Sequence, residues 1–205
     1  MTAAARLRSA QPAVIAVGAS AGALDALRDL LPRLPTNFPV PIVVVVHVPS
    51  DRESGLPAVL ARECRVAVVE AEDKMPLVAG RVAFAPPDYH LLVEAHGALA
   101  LSADPPVQFS RPSIDVLFES AAEAYGPRAF GILLSGANAD GARGLARIAG
   151  AGGLTWVQSP ENARVSTMPE AALASGSHET MDAGSMGAVL AAWALETTGS
   201  ETTEV

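Results

Sequence analysis

The feature that most narrows the fold is an apolar run, Ala13-Val14-Ile15-Ala16-Val17, that meets a glycine and passes straight into a helical pattern. A strand with no polar face must be covered on both sides. Leu24, Leu27, Leu30 and Leu31 then recur at helical spacing, and Pro32 and Pro35 stop the helix. Residues 42–46 repeat the buried-strand signal, 51–63 read as a helix and 66–69 as a third buried strand. Strands alternating with helices predict a parallel sheet joined by right-handed crossovers.

The middle of the chain reads differently. Residues 82–85, 91–95 and 98–101 are short apolar runs, split by Pro86-Pro87-Asp88 and by His96-Gly97. They predict a meander of antiparallel hairpins grafted onto the α/β body. Alternation resumes beyond Pro112. Ser113 is placed to cap a helix reaching about residue 125, followed by a strand at 129–134 and a Gly- and Ala-rich helix at 140–150. A strand at 154–157, a helix at 169–174 and a last helix at 186–195 complete the pattern. Residues 1–12 are expected to form a flexible arm, 13–196 one domain and 197–205 a flexible tail.

Charge and cysteine content exclude several classes. The net charge is −8, which argues against nucleic acid and against an anionic membrane surface. No segment is long and apolar enough to span a bilayer. The first residues pair Arg6 and Arg8 with an apolar stretch, but Gly18, Gly22, Asp25 and Arg28 interrupt any signal-peptide pattern, so the expected location is the cytoplasm. Cys64 is the single cysteine, and no Cys/His cluster has zinc-ligand spacing, so no metal is expected.

In open parallel sheets, ligands gather beyond the carboxyl ends of the strands. Three such ends carry a serine, a histidine and an aspartate. Ser20 lies in Gly18-Ala19-Ser20-Ala21-Gly22, a G-x-S-x-G between strand and helix. The flanking glycines permit a sharp turn that lifts the hydroxyl over the sheet edge, beside helix amides able to hold an oxyanion. A plain helix cap and a phosphate-cradling loop are the competing readings of the same turn. His47 follows the second strand. Asp140 follows Ser135-Gly136-Ala137-Asn138-Ala139, whose amides offer a second oxyanion donor. His47 also reads as a structural histidine, and Asp140 as an N-cap or first-turn carboxylate of its own helix. His90, His96 and His178 are weaker base candidates. The order Ser20, His47, Asp140 differs from that of an α/β-hydrolase, but a triad is defined by geometry.

Taken together, these residues resemble the catalytic domain of the bacterial chemotaxis receptor protein-glutamate methylesterases, over about residues 14–190. The carriers are Ile15-Ala16-Val17-Gly18-Ala19-Ser20 with Gly22, Val46-His47-Val48-Pro49, Ala71-Glu72-Asp73 and Ala85-Pro86-Pro87-Asp88-Tyr89-His90. Arg111-Pro112-Ser113-Ile114-Asp115-Val116-Leu117-Phe118, Leu134-Ser135-Gly136 through Asp140-Gly141, and Met168-Pro169 continue the match. The resemblance implies a doubly wound, mostly parallel α/β sheet with helices on both faces and an inserted antiparallel hairpin. It implies Ser20 as nucleophile, His47 as general base and acid, and Asp140 as the orienting carboxylate. The family hydrolyses glutamyl methyl esters on chemoreceptor cytoplasmic helices, releases methanol, can deamidate receptor glutamines, and needs no cofactor.

On that reading, the amides of Ala21 and Ala137 hold the oxyanion. Arg111 either orients an acidic substrate or forms a surface ion pair; Met168 reads as packing. The expected partners are a methylated chemoreceptor cytoplasmic domain and a separate receiver or regulatory protein, since only about a dozen residues precede the first strand, too few for a receiver domain. Three departures stand out: Ala21 where a hydroxyl residue is common, Val48 in place of methionine, and Asn138 in place of glycine. A non-catalytic adaptor, or a phosphate-ligand binder using the amides after Gly18, are the alternatives to an esterase.

Overall fold

The computed structural model describes residues 2–47 and 55–200. Its frame is a parallel sheet of seven strands: β1 (Val14–Ala19), β2 (Ile42–Val46), β3 (Ala67–Glu70), β4 (Arg81–Phe84), β7 (Ala129–Leu133), β8 (Leu154–Gln158) and β9 (Glu179–Met181). They lie in the order β3-β4-β2-β1-β7-β8-β9. Between β4 and β7 the chain makes a separate antiparallel hairpin, β5 (His90–Glu94) with β6 (Ala98–Ser102). Every residue of β1, β2 and β7 is buried, as their unbroken apolar sequences require.

Two apolar layers sandwich the sheet. Helices α1 (Ala3–Ala10), α2 (Ala23–Leu30), α3 (Leu56–Glu63) and α7 (Ala183–Ser200) cover one face, with Leu27, Leu30, Met186 and Leu190 in the core. Helices α4 (Ile114–Tyr125), α5 (Ala142–Gly150) and α6 (Thr167–Ser175), together with the hairpin, cover the other, around Leu117, Phe118, Leu145 and Met168. From β1 the chain first winds outward to β2, β4 and β3, then returns through α4 to β7 on the far side of β1. The carboxyl ends of β1, β2 and β7 therefore border the point where the winding reverses, the position where such sheets open a crevice.

Several sequence expectations are corrected. The run at 82–85 is not part of a meander: β4 pairs in parallel with both β2 and β3, because Val82, Ala83 and Phe84 are buried inside the sheet. The strand expected to be buried at 66–69 is instead the edge strand β3, with Ala67 and Glu70 exposed. Residues 3–10, expected as part of a loose arm, form α1; Thr2 caps it by accepting from the Ala5 amide at 3.3 Å, and Leu7 is fully buried. The last helix begins at Ala183 and reaches Ser200, beyond the expected 186–195 and into the expected tail. The edge strand β9 was not anticipated, its three residues being too few for any period to show. Val48-Pro49 and the start of the helix expected at 51–63 lie outside the described residues.

Candidate active site

Parallel pairing sets the serine beside the histidine. Ala19 of β1 is in register with Val46 of β2, so Ser20 and His47 are the next residues beyond two adjacent strand ends. The His47 amide donates to the Ala19 carbonyl at 3.2 Å, which continues the ladder one step past the strands. The serine turn needs both of its glycines. A Cβ on Gly18 would stand 2.3 Å from Ile114 Cγ2, so the glycine lets α4 press onto β1. Gly22 has φ +85°, and a Cβ there would meet Ser135 Oγ at 2.7 Å and Arg164 Cβ at 2.8 Å.

Ser135, two residues past the end of β7, locks that turn from the other side. Its carbonyl accepts from the Ser20 amide at 2.9 Å, and its hydroxyl donates to the Ala21 carbonyl at 2.7 Å and accepts from the Val165 amide at 2.9 Å. Its own amide donates to Gln158 Oε1. Among the described residues the Ser20 hydroxyl has no hydrogen-bond partner, and the amides of Ala21 and Ala137 donate to no other group. Both alanines are exposed.

His47 and Asp140 meet directly. Nε2 of His47 lies 2.7 Å from Asp140 Oδ2, with the histidine side chain 13% exposed and the aspartate fully buried. The carboxylate takes three further donors: the Ile114 amide at 2.7 Å on Oδ2, and the Ser113 hydroxyl at 2.9 Å and Asp115 amide at 3.0 Å on Oδ1. Burial pushes this carboxyl up, but the His47 hydrogen bond and the two amides outweigh it and hold it below the ordinary carboxylate range. Asp140 is thus kept ionised against an imidazole whose Nε2–H faces it. In the neutral imidazole, that orientation puts the free lone pair on Nδ1.

The capping pattern differs from the one the sequence suggests. Ser113 occupies the N-cap position of α4 but makes no side-chain cap bond; its hydroxyl serves Asp140. Asp140, expected in the first turn of its own helix, instead caps α4 across the interface. Asp115 returns the favour to α5, accepting from the Gly141 amide at 3.0 Å and the Gly144 amide at 2.8 Å. Behind them His90 accepts the Ser113 amide on Nδ1 at 3.1 Å and faces the Pro105 carbonyl with Nε2 at 3.2 Å, which makes it a buried bracket rather than a base. His96 is exposed beside Glu94, and His178 bonds Thr155; both belong to other parts of the molecule.

Arg111 is spent inside the chain. Nε and Nη2 donate to Asp88 Oδ1 at 3.0 and 2.6 Å, and Nη1 donates to the carbonyls of Ala103 and Asp104. Asn138, the substituted turn position, does not take a positive φ; its side-chain oxygen accepts the Asp140 amide at 3.2 Å and closes the turn itself. Met168 is fully buried against Gly136. Sequence reasoning passed over Ser113, Asp115 and Ser135 as partners of the site. Their signal was only that small or charged polar residues sit at buried helix and strand ends, which is visible once burial is known.

Comparison with known proteins gives the family and the fold. A family model described as CheB methylesterase matches residues 15–190. The fold superposes on the crystal structure of the Thermotoga maritima CheB methylesterase catalytic domain with a TM-score of 0.84 and 30% identity, covering 88% of this chain and 98% of that one. A Leptospira interrogans protein, provisionally named protein-glutamate methylesterase/protein-glutamine glutaminase, is 44% identical over 159 residues, 78% of this chain and 82% of that protein. The Myxococcus xanthus protein-glutamate methylesterase FrzG is 39% identical over 181 residues, 88% of this chain and 54% of FrzG. This chain belongs to the CheB methylesterase family.

Proposed function

We propose that this protein hydrolyses the γ-methyl esters of glutamyl side chains on the cytoplasmic helices of chemoreceptors, with Ser20, His47 and Asp140 as its catalytic groups. The observation that carries the reading is the junction of two facts: Ser20 and His47 follow in-register ends of adjacent strands, and His47 Nε2 is held at 2.7 Å by a buried, ionised Asp140. A serine beside an imidazole that a carboxylate orients is the arrangement that makes a hydroxyl nucleophilic.

In the proposed reaction, Ser20 Oγ attacks the ester carbonyl while Nδ1 of His47 takes its proton. The carbonyl oxygen gains the negative charge, and the unengaged amides of Ala21 and Ala137 donate to it. Asp140 stabilises the imidazolium without taking its proton. Collapse of the tetrahedral species breaks the bond to the methoxy oxygen, and His47 returns its proton to that oxygen as methanol leaves. Water, deprotonated by His47, then attacks the acyl-serine, and the proton passes to Ser20 Oγ. The products are the glutamate side chain and free enzyme. A glutamine amide enters the same cycle with ammonia as the leaving group. No metal takes part in this scheme. Arg111, with its donors engaged by Asp88 and two carbonyls, braces the rim rather than gripping substrate.

The test is methanol release from a methyl-esterified receptor cytoplasmic fragment by wild type, Ser20→Ala and His47→Ala. Turnover by wild type that both substitutions abolish, with the fold intact by circular dichroism, is the expected result. Turnover that survives Ser20→Ala would reject the serine mechanism.

A further inference from the structure

Two of the most exposed large apolar side chains among the described residues stand on loops joined by the Arg111–Asp88 ion pair. Phe109 is 104% exposed and Tyr89 is 45% exposed. Tyr89 follows Asp88, and Phe109 lies two residues before Arg111; the Arg111 guanidinium grips the Asp88 carboxylate with two nitrogens and the 103–104 carbonyls with a third. Both loops border the candidate site. The Asp88 loop leaves the carboxyl end of β4, whose neighbour β2 is followed directly by His47. The Phe109 loop leads into α4, where the Ile114 and Asp115 amides hold Asp140.

The presentation of Phe109 is built, not incidental. Gln108 and Phe109 have φ values of +48° and +63°, and Val107 and Ser110 exchange both backbone hydrogen bonds at 3.1 and 2.9 Å. This is a two-residue turn in which both central residues are left-handed, a conformation that favours glycine and asparagine and that a bulky side chain rarely adopts. Gln108, itself exposed, donates from Nε2 to Asp115 Oδ2 at 2.8 Å. The same bond ties the turn to the carboxylate network of the site and leaves the aromatic ring pointing into solvent. Left-handed backbone that a surrounding structure enforces is a mark of a functional position.

We propose that Phe109 and Tyr89 form the substrate-docking rim, packing on the apolar side chains of the helical segment that carries the glutamyl ester. This rests on the methylesterase reading and names how the site selects a protein over a free ester. Charge supports that occupant. The chain carries a net −8, and between the two rings the Arg111 charge is taken up by Asp88, so that pair offers an acidic segment no unpaired cation. Apolar contact is then the available grip, as in helix recognition generally. The methyl ester is neutral, so it suits an apolar, charge-balanced rim better than the carboxylate that its hydrolysis leaves.

The experiment uses two readouts. Binding of the methyl-esterified receptor fragment to Ser20→Ala protein, followed by fluorescence anisotropy, reports docking without turnover. Turnover of the receptor fragment and of a small glutamate γ-methyl ester by serine-competent protein reports chemistry. Removing an anchoring aromatic from an interface commonly weakens binding tenfold or more, so Phe109→Ala is expected to raise Kd about tenfold. The ratio of kcat/KM for the fragment to that for the small ester should fall by about the same factor, with Phe109→Leu intermediate and Tyr89→Ala smaller in effect. An unchanged Kd, no binding by the parent, or a parallel fall on both esters would overturn the docking rim. Absence of Ser20-dependent turnover on either ester would instead strike the methylesterase reading.

Discussion

Asp115 and Asp140 exchange caps: the carboxylate of each lies on the helix N-terminus that the other stands beside. Asp140 precedes α5 yet accepts the first amides of α4, at Ile114 and Asp115; Asp115 belongs to α4 yet accepts the amides of Gly141 and Gly144 at the start of α5. Each carboxylate meets the positive end of a helix dipole. The two helices are therefore joined at the site by their own unsatisfied donors, and His47 is aimed by a group that cannot rotate without freeing buried amides. Their environments differ in sign. Burial raises the Asp115 carboxyl, a shift that the Asp140 charge reinforces and the Gly144 amide only partly opposes, while Asp140 is lowered.

Asp140→Asn keeps the shape and removes the charge that orients His47. By analogy with other triads, kcat is expected to fall about 10⁴-fold with the fold retained. A loss under tenfold in steady-state methanol release would show that His47 does not depend on this carboxylate.

The opposite shifts make a signed prediction for stability. Asp140 is lowered in the folded state, so its contribution is present above the ordinary carboxylate value and is lost as pH falls toward its depressed one. Asp115 is raised, so its ionisation withdraws stability as pH rises from the ordinary value to the raised one. Urea midpoints followed from about pH 2 to pH 7 should therefore show a shallower acid loss in Asp140→Asn and a smaller decline toward neutrality in Asp115→Asn.

Asp115→Ala leaves the Gly141 and Gly144 amides without their acceptor. Each buried orphan costs about 1–3 kcal/mol, so a loss of roughly 2–6 kcal/mol is expected by urea denaturation. Asp115→Asn, which retains an acceptor oxygen, should lose less than half of that; equal losses would assign the effect to charge.

Gly18→Ala would drive a methyl group to 2.3 Å from Ile114 Cγ2 and 2.9 Å from Leu133 Cδ1. Overpacking of this kind costs about 1–3 kcal/mol, and here the strain falls on the residue whose amide holds Asp140. Thermal unfolding should show a lowered Tm, and kcat should fall with it. Gly22→Ala separates the two effects. It forces a side chain onto a φ of +85° against Ser135 and Arg164, so ester turnover should drop more steeply than stability.

Much of the sheet was legible because burial on both faces leaves no choice of residue. Val14–Ala19 and Ile42–Val46 are apolar throughout, and only the central strands of a covered parallel sheet take such runs. The strand ends pointed to Ser20, His47 and Asp140 because each lies in the short segment that follows an apolar run: Ser20 and His47 directly, Asp140 after the 135–139 turn. The periphery was less legible. The single apolar anchor of α1, Leu7, makes no period, and β9 is three residues long. The run at 82–85 has the length and composition of a hairpin strand and of a sheet strand alike; its partner β2 decides between them.

The sequence by itself determined the layers, the serine turn and the three candidate catalytic residues, because local periodicity and glycine placement act over a few residues. Only the tertiary structure decided what those residues bond to. Asp140 reads as the cap of its own helix but serves α4; Ser113 reads as a helix cap but serves Asp140; Arg111 reads equally as a substrate contact or an ion pair, and pairs with Asp88. Each side chain has several local uses of similar energy. The choice among them is made by which distant donor is buried beside it, since an unpaired group in the interior costs more than any local alternative gains.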